Sequence, residues 1–247
     1  MSPSPRIRRR LAGLSEKAVN YDVAALDLDA PPSGWHVDDR HQPLPGEPPG
    51  DPVRDGSFEI ACRLIRGYKF ADPSMVRAFY DPDLPLAGRD MLLELRGLGL
   101  LSVYVGVRVG EVYDQTRKID GREVRVFGWE YRTLEGHVER GQMNWEVWKW
   151  LRSGEVEFHV HSVSRPAPIP NPVIRLGFWL LRGHERALFL DSTNRRMKEF
   201  TELGLAHEGH GERIRSEGPG LTARRLPAGD SSHAELAREV EQPELSS

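Results

Sequence analysis

Cysteine, long apolar runs and catalytic signatures are all scarce in this sequence. Cys62 is the one cysteine among 247 residues, which excludes an intrachain disulfide and a cysteine-built zinc or iron–sulfur site and is typical of a reducing compartment. No stretch approaches the ~20 consecutive apolar residues that span a bilayer, and the basic start lacks the apolar core of a signal peptide. We therefore expect a soluble, cytoplasmic protein without a transmembrane segment.

An excess of either charge is also missing. The 34 Lys and Arg residues against 37 Asp and Glu residues give a formal net charge of −3, so nothing attracts the whole chain to nucleic acid or to an anionic membrane. The sequence has no H-E-x-x-H, G-x-S-x-G, Walker or complete dinucleotide-binding motif. These absences weigh against the common hydrolases, kinases and dehydrogenases. We predict neither a cofactor nor a nucleic-acid partner, and the sequence identifies no protein partner.

Residues 1–18 are expected to hold a basic N-terminal helix, because Ile7, Leu11 and Leu14 recur at near-helical spacing among arginines. Two interpretations fit this stripe. It is either an anchor for a membrane surface or a partner, or a helix that packs on the domain with a solvated basic face. The packed helix is the preferred interpretation.

A single α+β domain is predicted for residues 19–203. It opens with a Pro/Gly-rich loop at 29–55, in which no regular element is expected. Apolar residues then recur at helical spacing from Ser57 until Gly67 stops the helix. The Asp72-Pro73 pair is typical of an N-cap and first turn, so a second short helix is predicted to run from there to residue 79.

The next part of the domain alternates apolar and polar residues with the period of two expected for strands. The predicted strands cover residues 91–95, 103–109, 124–134, 144–151 and 155–164. They follow one another at hairpin distances, the last pair through a tight turn at 152–155. The sheet should therefore be antiparallel.

A long C-terminal helix is predicted for residues 173–203, after a proline-rich stop to the strands. The candidates for its buried face are Leu176, Leu180, Leu181, Leu188 and Phe189. The tail at 204–247 carries few large apolar side chains and cannot offset its ordering entropy. We predict that this tail is disordered.

One strand of the predicted sheet is aromatic on one face and charged on the other. The aromatic face consists of Phe127, Trp129, Tyr131 and Thr133, with Trp145 on the next strand. These residues either line a ligand pocket or form an ordinary half-buried core. Glu130 and Arg132 share the opposite face, where we expect an ion pair. If that face is solvent-exposed, the pair contributes no more than ~1 kcal/mol.

His137 and Glu139 follow that strand in a turn between two glycines. Histidine exchanges protons near neutrality because its ordinary pKa is ~6.5. His137 is therefore a candidate general acid or base, with Glu139 orienting it. In the alternative interpretation its ring nitrogens only satisfy backbone groups of the turn.

Two further histidines, His159 and His161, project with Glu157 from one face of a strand. Such a pair of imidazoles can ligate a metal ion, but the spacing reveals no third ligand. A solvated outer face is the preferred interpretation, and no metal site is predicted.

The residues around His137 match a motif that recurs in one family, roughly Y-G-T-L-x-G-H-x-E-x-G-E-E. The matching residues are Tyr131, Thr133, Leu134, Gly136, His137, Glu139 and Gly141, with Asn20-Tyr21 before them and Val163-Ser164-Arg165 after them. Over about residues 11–203 the chain resembles the uncharacterised protein family of bacteria and plants called domain of unknown function nineteen-ninety. It departs from the pattern at Arg132, where the family has glycine, and at Gln142-Met143, where the family has an acidic pair.

The order of the predicted elements is also similar to the helix-grip fold of START and Bet v 1-like proteins. In that fold a curved antiparallel sheet wraps a long C-terminal helix around an apolar cavity. By this resemblance we expect a module that binds a small hydrophobic molecule. The alternatives are an acid/base enzyme that uses His137 and Glu139 in the same cleft, and a non-catalytic scaffold or partner-binding protein.

Overall fold

A computed structural model describes residues 4–97, 99–169 and 172–216. In chain order its elements are α1 (Pro5–Ala12), β1 (His36–Leu44), α2 (Ser57–Arg66), β2 (Val76–Phe79), β3 (Asp90–Gly97), β4 (Gly99–Ile119), β5 (Arg122–Thr133), β6 (Glu139–Trp150), β7 (Val156–Pro166) and α3 (Pro172–Ser216). Among the described residues, no helix is long and apolar enough to cross a membrane.

The strands form one antiparallel sheet in the order β1-β7-β6-β5-β4-β3-β2. From β2 to β7 each strand pairs with the next one in the chain, and β1 pairs with β7 at the far edge. Because short connections join neighbours of opposite direction, the meander follows from the turn spacing of the sequence. The predicted α+β fold, a curved antiparallel sheet around a C-terminal helix, is confirmed.

The main core lies between α2, α3 and one face of the sheet, which we call the inner face. Its large side chains include Ile65 from α2, Trp129, Trp145 and Phe158 from the strands, and Leu190, Met197 and Phe200 from α3. The rings of Trp145 and Phe158 are parallel, with their centroids 6.1 Å apart. Removal of this apolar surface from water, worth about 25 cal/mol per Å², holds the helices on the sheet.

The edge strand β1 lies inside the Pro/Gly-rich segment at 29–55, where no regular element was expected. It pairs with β7 from His36 opposite Ser164 to Leu44 opposite Val156. A strand with Pro43 is tolerated at this place because an edge strand leaves half of its N–H groups without a ladder partner. The prediction of an irregular loop throughout this segment is therefore wrong.

The other edge strand, β2, replaces the end of the second predicted helix. The Asp72 carboxylate accepts hydrogen bonds from the Ser74 N–H at 2.9 Å and from the Ser74 hydroxyl at 2.6 Å. These bonds stabilise a turn instead of a helix start. Val76 then pairs with Leu95 of β3, so the prediction of a helix from 72 to 79 is wrong.

A buried ion pair fixes the part of the Pro/Gly-rich segment that follows β1. The fully buried Lys149 Nζ donates to Glu47 Oε2 at 2.5 Å and to the Asp51 carbonyl at 2.8 Å. The Glu47 carboxylate also accepts from the N–H groups of Val53 and Phe58. Side-chain bonds to β6 and to the start of α2 thus give this segment a defined course.

The basic helix α1 packs on the opposite, outer face of the sheet. Its apolar residues Ile7 and Leu11 contact a buried cluster of Leu14, Leu92 and Leu134, and its arginines are exposed. This packing agrees with the preferred interpretation of a helix that covers the domain with a solvated basic face.

The C-terminal helix α3 is longer than predicted. Residues 204–216, which the sequence predicted to be disordered, continue the helix to Ser216, and residues 217–247 lie outside the described part. Its buried stripe includes Leu190, Thr193, Met197, Phe200 and Thr201. Leu188, predicted to be buried, is 44% exposed, and Phe189 is partly buried; the side chains at 176, 180 and 181 lie outside the described set.

The predicted ion pair of the outer face is present, with Arg132 Nη2 at 2.7 Å from Glu130 Oε1. That face is not solvated here, because Glu130 is only 3% exposed. A bulge in β4 brings Gly110 against the carboxylate, so closely that a Cβ at this position would collide with Glu130 Oε1. Burial raises the pKa of Glu130, although the Arg132 guanidinium opposes the change.

We expect Arg132→Ala to lower the free energy of unfolding by about 1–3 kcal/mol. The loss stays below that of a fully buried pair because the Arg132 side chain is 32% exposed. Urea unfolding measures it, and adding Glu130→Gln should restore part of the stability because the buried charge is then gone. The matched control on β5 is Arg125→Ala, because the partner of Arg125, Asp114, is 48% exposed. Equal losses of unfolding free energy in the two variants would contradict the burial of Glu130.

Candidate functional site

A cavity of about 160 Å³ lies beside the inner face of the sheet, against α3. Its apolar lining consists of Tyr68, Met75, Val76, Leu93, Leu95, Tyr131, Val138, Met143 and Phe189. Its polar lining consists of Arg96, His137, Glu139, Glu185 and Arg186. We call this space the inner cavity.

The aromatic face of β5 lies on the cavity side of the sheet, but its members differ in position. Tyr131 lines the inner cavity. Phe127, Trp129 and Trp145 are not in its lining and belong to the packed core, where both tryptophans are fully buried. Trp129 Nε1 donates to the Ile65 carbonyl at 3.1 Å, so its ring ties α2 to the sheet.

Thr133, the fourth residue of that face, closes the β5–β6 loop. Its hydroxyl donates to Asn20 Oδ1 at 2.6 Å and accepts from the Gly141 N–H at 2.9 Å. Asn20 in turn donates to the Glu139 carbonyl at 2.9 Å. At Gly141, a Cβ would collide with the Val163 carbonyl. These residues of the family motif therefore have a structural role in holding the loop together.

Tyr68 adopts a left-handed backbone conformation, with φ 53°, which is costly for a bulky residue. Hydrogen bonds hold the surrounding backbone in place: Trp129 donates to the Ile65 carbonyl, Tyr80 to the Gly67 carbonyl and Arg196 to the Phe70 carbonyl. Within the described ranges the Tyr68 hydroxyl has no hydrogen bond of normal geometry. Burial, with Tyr131 beside it, raises its pKa well above the usual value. A neutral hydroxyl is thus present in the cavity wall.

His137 is held by the backbone of its own turn. His137 Nδ1 lies 2.9 Å from the Glu139 backbone nitrogen and 3.1 Å from the Glu139 carbonyl oxygen, so the main chain of Glu139 contacts this ring nitrogen. Burial lowers the pKa of His137 to about 4, so the ring is neutral at pH 7. The Glu139 carboxylate lies 3.2 Å from Arg186 Nη1. The main chain of Glu139, and not its carboxylate, therefore orients the histidine.

His137 also borders a second, more open space, which we call the outer groove. This groove has a volume of about 490 Å³ and is lined by Val19, Asn20, Tyr21, Glu135, Gly136, His137, Arg140, Ala167 and Pro168. His137 is the residue common to the linings of the groove and of the inner cavity.

Arg186 of α3 binds three strands at once. Its guanidinium donates to Asp38 of β1, to the Ser162 and Ser164 hydroxyls of β7 at 2.5 and 3.0 Å, and to Glu139 of β6 at 3.2 Å. The side chain is only 11% exposed. Although burial acts to raise the pKa of Asp38, contact with Arg186 keeps it below its usual value. The arginine fixes α3 over the sheet and closes one side of the inner cavity.

Sequence reasoning did not single out Arg186 or Tyr68. A signal for Arg186 exists, because it precedes Leu190, Thr193 and Met197 at spacings of four, three and four, the positions of the buried stripe of α3. A charged residue in such a stripe indicates a buried partner. For Tyr68 the sequence carries no such signal.

Residues 20–192 match the family described as "Domain of unknown function (DUF1990)". The chain belongs to this family. The match includes all residues that line the inner cavity and the outer groove except Val19, and it confirms the resemblance based on the motif around His137.

A relative of this DUF1990 chain is a UPF0548 protein of Dictyostelium discoideum, 27% identical over 154 residues. The match covers 57% of this chain and 65% of that protein, so the chain spans just under two thirds of its relative. Two solved structures are similar at 10% identity. "Crystal structure of Ara h 8.0201" has a TM-score of 0.37 and covers 66% of this chain and 98% of its own; human STARD10 has a TM-score of 0.35 and covers 89% and 90%.

We expect Arg186→Ala to cost about 3–5 kcal/mol of unfolding free energy, because two carboxylates, Asp38 and Glu139, lose their shared partner in a buried place. The control is Arg195→Ala on the same helix, where the side chain is 67% exposed, and it should change the stability by less than about 0.5 kcal/mol. Urea unfolding compares the two. Similar small losses would show that Arg186 does not anchor α3.

The buried His137 predicts a pH dependence of stability. Its pKa is about 4 in the folded protein against an ordinary 6.5, so the unfolded chain binds the proton more readily. The contribution of the neutral His137 ring to the free energy of unfolding is complete above pH 6.5. It is lost as the pH falls towards 4, by up to about 3 kcal/mol. The difference in unfolding free energy between the wild type and His137→Gln should follow this course. A difference that does not change from pH 7 to pH 4 would contradict the burial of a neutral ring.

Proposed function

We propose that this protein binds a small, neutral, largely apolar molecule in the inner cavity. The observation that carries the proposal is the partly open space of about 160 Å³ between the sheet and α3, lined mainly by aromatic and aliphatic side chains. Ligand sites have this composition, with a few polar groups that fix the orientation of the ligand.

The size of the cavity limits the ligand. A cavity of about 150 Å³ with an apolar lining accommodates a molecule such as benzene, whereas drug-sized ligands need ~300 Å³ or more. The ligand is therefore a single substituted ring or a short aliphatic chain. A longer molecule would have to extend beyond the inner cavity, for example past His137, which also lines the outer groove.

The charges of the lining favour a neutral ligand. Arg186 is bonded to Asp38 and Glu139, and Arg96 lies 3.3 Å from Glu94. An anionic ligand would have to break one of these pairs to reach a guanidinium, and the carboxylate of Glu185, which also lines the cavity, would repel it. The hydroxyls of Tyr68 and Tyr131 can instead bond a hydroxyl or carbonyl group of the ligand, which would satisfy the Tyr68 oxygen at the same time.

Binding can be tested with toluene and p-cresol, which differ by one hydroxyl group. We expect both to raise the unfolding temperature, with about 2.7 kcal/mol of stabilisation at 100-fold the dissociation constant. We expect p-cresol to bind more tightly, and Tyr68→Phe to weaken its binding about fivefold, the worth of one net hydrogen bond, without changing the affinity for toluene.

Two edge-strand valines provide the control for the place of binding. Val76→Phe fills the inner cavity, in whose lining Val76 takes part, and should abolish the stabilisation. Val37→Phe adds the same volume to the other edge strand, where the side chain is 41% exposed, and should leave it unchanged. Absence of stabilisation by either compound, or equal effects of the two variants, would contradict the proposal and favour a scaffold or partner-binding role.

The alternative of acid/base catalysis by His137 and Glu139 has less physical support. A general base works best with a pKa near the working pH, and burial holds the pKa of His137 at about 4. The Glu139 carboxylate is engaged by Arg186 and does not orient the imidazole. The ligand-binding proposal needs neither of these groups to take part in proton transfer.

A further inference from the structure

On the outer face of the sheet, β1 and β7 bring together side chains that lie far apart in the sequence. His41 pairs with His159, and Asp39 pairs with His161. Asp39 and His41 lie on β1, the strand that was not predicted from the Pro/Gly-rich composition. For this reason the sequence indicated two histidines on β7 but no third ligand.

We propose that Asp39, His41 and His159 bind a divalent transition-metal ion, with zinc as the best match. One ligand atom of each of these three residues lies within 4.8 Å of the others. Asp39 Oδ1 is 2.5 Å from His159 Nε2 and 3.8 Å from His41 Nε2. Two imidazole nitrogens and one carboxylate oxygen are a common ligand set for zinc, which leaves its fourth position to water.

The two rings lie face to face, with the Nε2 atom of each close to Asp39 Oδ1. They are stacked with centroids 4.1 Å apart and an interplanar angle of 19°. Each has a carboxylate at Nδ1: Glu157 Oε2 lies 3.0 Å from His41 Nδ1, and Glu146 Oε2 lies 3.1 Å from His159 Nδ1. Metal-bound histidines characteristically have such a carboxylate behind them. His159 Nε2 donates a hydrogen bond to Asp39 Oδ1, so zinc would take the place of that proton when it binds.

The supporting carboxylates are themselves fixed. Glu146 accepts from Tyr113, from Arg117 and from Trp148 Nε1. Glu157 accepts from Trp150 Nε1 at 2.7 Å. Neither ring is therefore free to turn its nitrogen away without breaking a bonded network.

Charge and geometry both suit a divalent ion. Three carboxylates, those of Asp39, Glu146 and Glu157, face one guanidinium, that of Arg117, so two negative charges remain when the imidazoles are neutral. Ligands 2.0–2.1 Å from a tetrahedral zinc ion lie about 3.3 Å apart. The present distances of 2.5 and 3.8 Å need an adjustment of less than about 1 Å, and the His41 ring must tilt out of the stack so that the ion lies in the plane of both rings. The side chains of His41 and Asp39, 42% and 56% exposed, can supply these changes.

The test is calorimetric titration of the full chain, stripped with a chelator, with zinc chloride. Cobalt(II) absorption then reports the coordination geometry. We expect one ion per chain and the visible spectrum of tetrahedral cobalt. Glu157→Gln should weaken zinc binding about 10–100-fold because it removes the carboxylate behind His41 without removing a ligand. His41→Ala and His159→Ala should weaken it further.

Asp39→Asn tests the site with the least risk of unfolding the protein, because the Asp39 side chain is largely exposed. This substitution should also weaken zinc binding. His36→Ala removes another exposed histidine of β1, one that contacts Asp38 and not the cluster, and should leave zinc affinity unchanged. The proposal is overturned if zinc does not bind saturably, or if binding persists in folded Asp39→Asn and His41→Ala proteins at the wild-type affinity.

Discussion

The bonds of Arg186 to the sheet are the constraint on which the rest of the structure depends. Apolar packing can hold a helix on a sheet in many positions, because it has little directional preference. A buried guanidinium has no such freedom, since each of its N–H groups needs an acceptor. By finding those acceptors on β1, β6 and β7, Arg186 selects one position of α3. The inner cavity exists because the helix stands there and the side chains beneath it do not fill the gap.

Much of the fold was predictable because the central strands carry their own signal. From β3 to β7 the apolar and polar residues alternate, and the turns between strands lie where the sequence has glycine and polar residues. The edge strands do not show such a sequence signal. A strand such as β1, with Pro43 and several charged residues, is stabilised by the ladder of β7 and by the Lys149–Glu47 pair. Pairing across so many residues is a tertiary effect that local composition cannot reveal.

The candidate site was predictable to a smaller degree, for a related reason. The alternation on β5 correctly assigned Tyr131 to the face that meets the helix, but it cannot separate a side chain at a cavity wall from one in the core, such as Trp129. Whether a side chain lines a cavity or packs in the core depends on the side chains that other elements place opposite it. His137 could be singled out because it lies in a turn flanked by glycines. Its pKa, however, is set by burial, which depends on residues from other elements. The cluster of Asp39, His41 and His159 could not be predicted, because two of its members lie on β1, a strand that the Pro/Gly-rich composition did not indicate.

The pairing of β1 with β7 also has a consequence for the order of folding. The contacts between these strands join residues about 120 positions apart, such as Asp39 and His159. Loops of that length close slowly, and strand pairs at large separation tend to form late. The β2–β7 meander can assemble from neighbouring hairpins first, leaving the open edge of β7 as a template. During synthesis the segment of β1 emerges early but must wait, unpaired, until the last strand has been made.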